Sequence, residues 1–139
     1  MLGSERALGI GTMLDTVELA ALWSDLPTVY RAVRNALAEH AAEVRAHFSH
    51  VYSTGAALYF TFVLKASSDD LLEATYEHTW SSLLSACLDA GGSIAHHHGT
   101  GHLKRRALEY ELGPEGLRLL KTVKDALDPM GILNPGVLS

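Results

Sequence analysis

Residues 57–65 read ALYFTFVLK, and the alternation in this stretch gives the first indication of the fold. Successive side chains of a strand point to opposite faces of a sheet. The large apolar residues therefore share one face: Leu58, Phe60, Phe62 and Leu64. Tyr59 points to the opposite, less apolar face. The pattern predicts a strand that buries one of its two faces.

Two strands are predicted before it and one after it. Residues 12–23 are rich in β-branched and apolar side chains, and residues 43–52 alternate between apolar and polar ones. The short turn at residues 53–55 predicts a hairpin between the second strand and residues 57–65. We expect a fourth, short extended segment at residues 93–99.

Amphipathic patterns predict three helices, over residues 27–41, 68–90 and 114–127. Proline is tolerated in the first turn of a helix, and Pro27 lies at the predicted start of the first one. The second begins at serine and aspartate residues, which cap a helix and suit its dipole, and it ends at a pair of glycines. An Asp-Pro-Met-Gly sequence ends the third.

The element order is strand, helix, strand, strand, helix, strand, which is typical of a ferredoxin-like fold. We therefore predict an α+β fold, a ferredoxin-like βαββαβ antiparallel sheet with helices on one face and an appended C-terminal helix. We expect residues 1–11 to form an irregular leading segment, residues 12–103 the ferredoxin-like domain, and residues 104–139 a C-terminal helical extension and tail.

Composition excludes several classes of protein. The 139 residues carry 11 basic and 16 acidic side chains, so the net charge of -5 disfavours binding to nucleic acid phosphates. The sequence has no uninterrupted run of about 18 apolar residues and no signal-peptide pattern, which predicts a cytoplasmic protein without a transmembrane segment. The single cysteine, Cys87, lies in a helical apolar pattern and is expected in the core.

Residues 96–104, HHHGTGHLK, are the densest candidate for chemistry, because four imidazoles and one ammonium surround two glycines. Glycine lets a ligand approach the backbone closely, and imidazole donates, accepts or shuttles protons near neutral pH. Such a loop suits an anionic or carbonyl-bearing substrate. The alternatives are an exposed strand end with incidental histidines and a zinc site. Zinc is disfavoured, because consecutive strand residues point apart and no cysteine pair is present.

Strand alternation also predicts which histidine meets Tyr59. If Ile94 faces the helices, His96 and His98 share its side and His97 lies on the open face with Tyr59. A phenol is a poor base at neutral pH, but an adjacent imidazolium lowers its pKa. The predicted pairing therefore makes chemical sense.

Three stretches together resemble one family of flavoproteins. Residues 47–62, 96–104 and 112–136 are similar, in this order, to the C-terminal region of alkyldihydroxyacetonephosphate synthases and related FAD-linked oxidases of the vanillyl-alcohol oxidase type. Residues 15–18 also resemble the family's first strand of this region. The resemblance covers roughly residues 12–138.

The resemblance implies FAD as cofactor, an N-terminal FAD-binding domain as partner, and a cap domain that covers the flavin. Carried over by motif, proton abstraction falls on Tyr59, and His97 orients substrate and assists proton transfer. His96 and His98 are expected to bind substrate, a small hydroxy compound or one bearing phosphate or carboxylate. The resemblance leaves open whether the reaction is a net oxidation or an alkyl exchange.

Two further residues have alternative interpretations. Lys104 holds a substrate phosphate or carboxylate, or is a solvated surface lysine. Asn134 is a flavin neighbour, or a turn former. Because the sequence contains no glycine-rich phosphate-cradling loop, we expect this chain alone to bind FAD weakly and to be inactive.

Two other functions are considered. One is a stand-alone ferredoxin-like module that binds a small ligand or forms a homodimer through its open sheet. The other is a histidine-rich metal-binding protein, which we do not favour, so no metal ligand is assigned.

Overall fold

A three-stranded antiparallel sheet forms the centre of the chain in a computed structural model that describes residues 11–137. Strand β1 spans Thr12–Leu22, β2 spans Ala41–Val51 and β3 spans Gly55–Lys65. The strand order is β1-β3-β2, so β3, the strand with the large apolar residues on one face, lies between the other two. Residues 1–10, most of the predicted leading segment, lie outside the described residues.

Two helices form the hydrophobic core against one face of this sheet. Helix α1 spans Leu26–Ala38, and α2 spans Asp69–Asp89. The predicted apolar face of β3 is fully buried: Leu58, Phe60, Phe62 and Leu64. The N-terminus of α2 is capped by Ser68, whose hydroxyl accepts a hydrogen bond from the Leu71 N–H. The predicted α+β class, with helices packed on an antiparallel sheet, is confirmed.

The predicted fourth strand is reduced to a single bridge between Ser93 and Ala20. Their backbones exchange two hydrogen bonds of 2.8 and 3.0 Å, which places Ser93 beside β1, where a ferredoxin-like fold carries its fourth strand. The chain then leaves the sheet, because the N–H groups of His96 and His98 donate to the carboxylate of Glu18 instead of to a strand. The prediction of an extended strand over residues 93–99 is therefore wrong in length.

Helix α3 spans Arg105–Leu127 and begins earlier than the predicted residue 114. Its backbone is non-helical at Gly113, with φ 64° and ψ 177°, so the predicted helix is the second half of a kinked pair. None of the described residues of α3 is buried. Its predicted apolar stripe ends in exposed side chains, with Val123 at 48% and Leu127 at 75% exposure.

Among the helices described in residues 11–137, none has both the length and the hydropathy that crossing a bilayer requires.

Candidate active site

A row of three side chains crosses the open face of the sheet, opposite the helices. The strand register pairs Tyr59 with Glu18 on β1 and with His47 on β2. Directly opposed residues of antiparallel strands project from the same face. The rings of His47 and Tyr59 stack with centroids 4.9 Å apart. Tyr59 is thus the middle member of a polar row, on the face where alternation predicted it.

The histidine loop lies over this row. The Tyr59 hydroxyl oxygen is 2.7 Å from Nε2 of His97, which is hydrogen-bonding distance. The ring of His98 stands edge-on to the Tyr59 ring, with centroids 5.6 Å apart. The structure therefore brings together the two residues to which the sequence assigned catalysis.

His96 and His98 were predicted to point away from His97, and this prediction is wrong. Nδ1 of His96 lies 3.0 Å from Nδ1 of His97, and the ring of His98 lies 4.7 Å from that of His97. Alternation applies to extended strands, whereas this segment bends immediately after Ser93. All three imidazoles consequently surround the same site.

His50 is a site residue that the sequence interpretation missed. Its backbone adopts φ 47°, which is uncommon for a residue other than glycine. It lies at a register shift between Ser49 and Val51, and its ring centroid is 4.4 Å from that of His97. A β-bulge redirects side chains and is frequent near functional sites. The bulge brings to the open face a histidine that simple alternation would place on the other face.

Glu18 is the second missed residue. Its side chain is fully buried, and Oε2 accepts hydrogen bonds from the N–H groups of His96 (3.0 Å) and His98 (3.4 Å). Its Oε1 lies 3.3 Å from Nδ1 of His97 and makes no hydrogen bond within the described part of the chain. The signal in the sequence is a lone carboxylate between apolar residues of a strand, Val17-Glu18-Leu19.

Lys104 lies beneath the site. It is 4% exposed, and its ammonium donates to the backbone oxygens of Ile94 (2.6 Å) and Glu18 (3.1 Å). The alternative of a solvated surface lysine is therefore wrong. Burial lowers the pKa of Lys104, and the nearby Glu18 opposes this effect. The ammonium bonds to the protein interior, so it lies behind the surface on which the imidazoles are exposed.

Asn134 lies in the tail that follows α3. Its φ is 45°, and its carbonyl oxygen accepts a hydrogen bond from the Val137 N–H. This is turn geometry, as one of the two interpretations predicted. A contact of Asn134 with flavin stays a prediction.

Electrostatics favour a neutral phenol and a neutral imidazole. Burial raises the pKa of Tyr59, and the Glu18 carboxylate raises it further. Burial lowers the pKa of His97, and the attraction of Glu18 only partly opposes this effect. We expected an imidazolium beside Tyr59 to lower its pKa, but the direction is the opposite. The pair is therefore Tyr59–OH with an uncharged His97.

The carboxylate of Glu18 stays ionised despite its position. Burial alone would raise its pKa, but the N–H groups of His96 and His98 and the neighbouring imidazoles more than compensate, and the pKa lies below the ordinary 4.5. The site therefore holds one buried negative charge under a layer of histidines.

Metal geometry is also present. One ligand atom from each of His50, His96 and His97 lies within 4.8 Å of the others. The sequence argument against zinc, that consecutive histidines point apart, does not apply to this bent segment. However, Nε2 of His97 faces the Tyr59 hydroxyl, and its Nδ1 faces Glu18 and His96. A metal would have to displace one of these contacts.

A cavity of about 480 Å³ adjoins the histidines and is lined in part by Tyr52, Ser93 and His96. A larger one, about 570 Å³, lies between α2 and α3 and is lined by Trp80 and Tyr110. The cavity beside His96 is lined by a residue that contacts His97, whereas the larger cavity is lined by none of the residues around Tyr59.

Comparison with known proteins identifies what the chain is similar to. A family model described as FAD linked oxidases, C-terminal domain, matches residues 2–138. An alkyldihydroxyacetonephosphate synthase of Trypanosoma brucei brucei is 31% identical over 95% of this chain and 22% of its own length. An uncharacterized FAD-linked oxidoreductase of Escherichia coli O157:H7 is 28% identical over 96% of this chain and 29% of its own.

The fold is also found among solved structures. An alkyldihydroxyacetonephosphate synthase superposes with a TM-score of 0.55 over 90% of this chain and 20% of that one, at 21% identity. This likeness supports the fold. The chain spans 22% and 29% of the lengths of these two curated relatives.

Proposed function

Because the chain belongs to the family of FAD-linked oxidase C-terminal domains, we propose that it covers the substrate site of an FAD-dependent oxidase or alkyl-transferring enzyme. In this proposal the open sheet face lies against the substrate, and Tyr59 and His97 move its proton. The hydrogen bond of 2.7 Å between the Tyr59 hydroxyl and His97 Nε2 carries the proposal. A proton-transferring pair must lie within such a distance.

The position of this pair fits a covering domain. Tyr59 and His97 lie on the sheet face opposite α1 and α2, so the hydrophobic core does not occupy the space in front of them. His97 keeps 39% of its side chain exposed, so a substrate can reach the ring. His96, with 30% exposed, borders the neighbouring cavity and is placed to bind a substrate oxygen.

FAD, when bound, supplies the ring that accepts or relays electrons. The hydrogen-bonding groups of the site are imidazoles and a phenol, which are suited to contact a substrate or the flavin ring. They do not fit a pyrophosphate, for which cationic side chains or a helix N-terminus are usual. Lys104 has its ammonium buried against two carbonyls. We therefore place the phosphates of FAD in a separate FAD-binding domain.

Exposed apolar side chains support a larger enzyme. Six lie on the second half of α3 and in the tail, with exposures from 48% to 79%: Leu119, Val123, Leu127, Met130, Ile132 and Leu133. Exposed apolar surface of this kind marks contact sites in proteins. The length of the matched relatives supports the FAD-binding domain as the partner.

The substrate class follows from the same groups. The imidazoles can donate hydrogen bonds to the oxygen of a hydroxyl, phosphate or carboxylate group. A small molecule that carries one of these groups is therefore the expected substrate. The lowered pKa of His97 favours a hydrogen bond over an ion pair at this ring, so a hydroxyl adjoining the reacting carbon is best placed at Tyr59.

Flavin binding by the purified 139-residue chain, compared with the chain joined to its FAD-binding domain, tests the proposal. We expect the chain alone to be colourless after gel filtration and the joined protein to be yellow. A flavin absorption band that stays with the chain alone would contradict the assignment of the phosphates to another domain. A stable dimer of the chain that shields Tyr59 from solvent would favour the alternative, self-association through the open face.

A further inference from the structure

Glu18 combines burial with an oxygen that accepts no hydrogen bond from any of residues 11–137. The carboxylate is fully buried, and an ionised group in such a place is costly unless hydrogen bonds and charges compensate it. Oε2 is compensated by two backbone N–H groups. Oε1 is the exception, and the closest ring nitrogen to it is Nδ1 of His97, at 3.3 Å.

The opposite side of the same imidazole meets the phenol. Nε2 of His97 lies 2.7 Å from the Tyr59 hydroxyl. In a neutral imidazole one nitrogen carries a proton and the other accepts. Nδ1 of His97 has two acceptors within reach, Nδ1 of His96 at 3.0 Å and Oε1 of Glu18 at 3.3 Å. An ionised carboxylate is the stronger acceptor of the two, so it favours the proton on Nδ1 and leaves Nε2 to accept from Tyr59.

We propose that Glu18 is a positioning residue that holds His97 in the Nδ1–H tautomer, so that His97 and not a phenolate is the base that finally receives the substrate proton. This inference rests on the proposed function. The substrate C–H or O–H bond breaks, its proton moves to the Tyr59 oxygen, and the phenolic proton moves to Nε2. The electron pair stays on the substrate, and the imidazolium so formed lies beside the Glu18 carboxylate.

The direction of the pKa of Tyr59 agrees with this route. Burial and Glu18 raise it, so a free tyrosinate is not the resting state. A phenol that exchanges its proton with His97 needs no such ionisation. The carboxylate–imidazole–hydroxyl order is the one by which other proton-transferring sites fix a histidine tautomer.

Charged and titratable groups around His97 come from every adjoining element. Glu18 faces it from β1, His50 from β2 and Tyr59 from β3, while His96 and His98 adjoin it along the loop. Among these only Glu18 is anionic. Removal of the Glu18 charge should therefore lower the pKa of His97, because none of the other groups named is anionic.

Lys104 helps to fix the geometry. Its ammonium joins the carbonyl oxygen of Glu18 on β1 to that of Ile94 in the segment that leads into the loop. One ammonium thus joins the strand that carries the carboxylate to the segment that leads into the loop with the imidazole.

The tautomer is measured directly by nitrogen NMR of the 139-residue chain labelled in histidine. We expect His97 to carry its proton on Nδ1 at neutral pH. Glu18→Gln should abolish this preference and lower the pKa of His97 by about one unit or more, because an opposite charge is lost. Glu43→Gln, a matched change at a glutamate paired with Arg45 on β2, should change neither.

An unchanged tautomer and pKa in folded Glu18→Gln would overturn the inference. If circular dichroism shows that Glu18→Gln does not fold, Glu18→Asp serves instead, because it keeps the charge but withdraws it from Nδ1. We expect Glu18→Asp to weaken the tautomer preference in part. An Nε2–H tautomer in the wild-type chain would overturn the inference without any variant.

Kinetics of the full-length flavoenzyme separate this inference from the proposed function. Glu18→Gln should lower kcat by roughly 10²–10⁴ with little change in KM, and should move the acidic limb of the pH profile to lower pH. Wild-type rates in Tyr59→Phe would refute the proposed function, while the NMR result for Glu18 would still stand. Slow Tyr59→Phe with wild-type rates and pH profile in Glu18→Gln would refute only the role of Glu18.

Discussion

Glu18 and Tyr59 lie directly opposite each other on β1 and β3, and the imidazole of His97 contacts both, Nδ1 toward the carboxylate and Nε2 toward the phenol. Neither strand alone produces this arrangement. It arises because the segment after Ser93 leaves the sheet and returns over its open face.

Tyr59→Phe removes the phenolic oxygen and keeps the ring stacked on His47. In the full-length flavoenzyme we expect the chemical step to slow by roughly 10²–10⁴ with the fold unchanged, because the group that exchanges a proton with the substrate is lost. Stopped-flow measurement of flavin reduction or adduct formation reports this step. Tyr110→Phe, at a tyrosine 72% exposed on α3, is the control and should react at the wild-type rate.

Asp15→Ala should destabilise the fold. One oxygen of Asp15 accepts from the Tyr76 hydroxyl (2.7 Å) and the Trp80 indole N–H (3.2 Å), which fastens β1 to α2. Loss of these bonds leaves a buried hydroxyl without its acceptor, so we expect a decrease of about 1–3 kcal/mol in the free energy of unfolding. Denaturant titration measures it.

The matched control for Asp15 is Asp125→Ala. Asp125 is paired with Lys121 on the surface of α3, with 61% of its side chain exposed. Such a pair contributes less than about 1 kcal/mol. Equal losses in the two variants would show that the contacts of Asp15 do not stabilise the fold.

Acid should weaken the wild-type protein more than Glu18→Gln. The pKa of Glu18 in the folded state lies below 4.5, so its stabilising contribution is complete above pH 4.5 and is lost as the pH falls through the folded-state pKa. The amide does not titrate. We expect the free energy of unfolding to decrease more steeply in the wild type between about pH 5 and about pH 3.

The pKa of Asp128 is lowered as well, because Lys124 and the N–H groups of Ile132 and Leu133 bond to its carboxylate. Asp128 is present in both the wild type and Glu18→Gln, so its effect is the same in the two proteins. The comparison therefore isolates Glu18. Parallel curves for the wild type and the variant would contradict the assignment of an ionised carboxylate beneath the histidines.

Cys87 should not react with thiol reagents in the native protein. Its side chain is fully buried, and burial raises its pKa to about 12, so almost no thiolate exists near pH 8. We expect one equivalent to react only after denaturation, since the chain has one cysteine. Rapid labelling of the native protein, measured by mass spectrometry, would show that the end of α2 that carries Cys87 separates readily from Ser93.

Purified protein should retain less than stoichiometric zinc after chelator washing. His50, His96 and His97 are close enough for a shared ion, but both nitrogens of His97 already face protein groups. Elemental analysis measures this content, with His50→Ala as the comparison. One zinc per chain that disappears in His50→Ala would instead support a metal centre at these three residues.

Local rules predicted the parts of the molecule that follow them. Alternation along β3 placed Leu58 in the core and Tyr59 on the open face, because a strand fixes the direction of every side chain. The same rule also predicted the pairing of Tyr59 with His97, although the segment that carries His97 is not a strand beyond Ser93. The cap at Ser68 was predicted from the chemistry of helix ends alone.

The remaining site residues depend on contacts between distant segments. Alternation would have exposed Glu18 on the open face, but the loop that covers it lies far along the chain. His50 reaches the open face through a β-bulge, and the residues around it give no sequence signal for that bulge. For His96 and His98, the rule failed because a single bridge at Ser93 replaces the predicted strand. The pattern of residues within one segment does not show which distant segment will pack over it.

The single bridge at Ser93 has a consequence for how the loop opens. Beyond it, the amides of His96 and His98 are bonded to one carboxylate and not to a strand ladder. Their hydrogen exchange should therefore report a local opening, of lower free energy than the unfolding of the sheet, in which both amides are released together. The site would then behave as a small cooperative unit of its own, able to loosen while β3 stays protected.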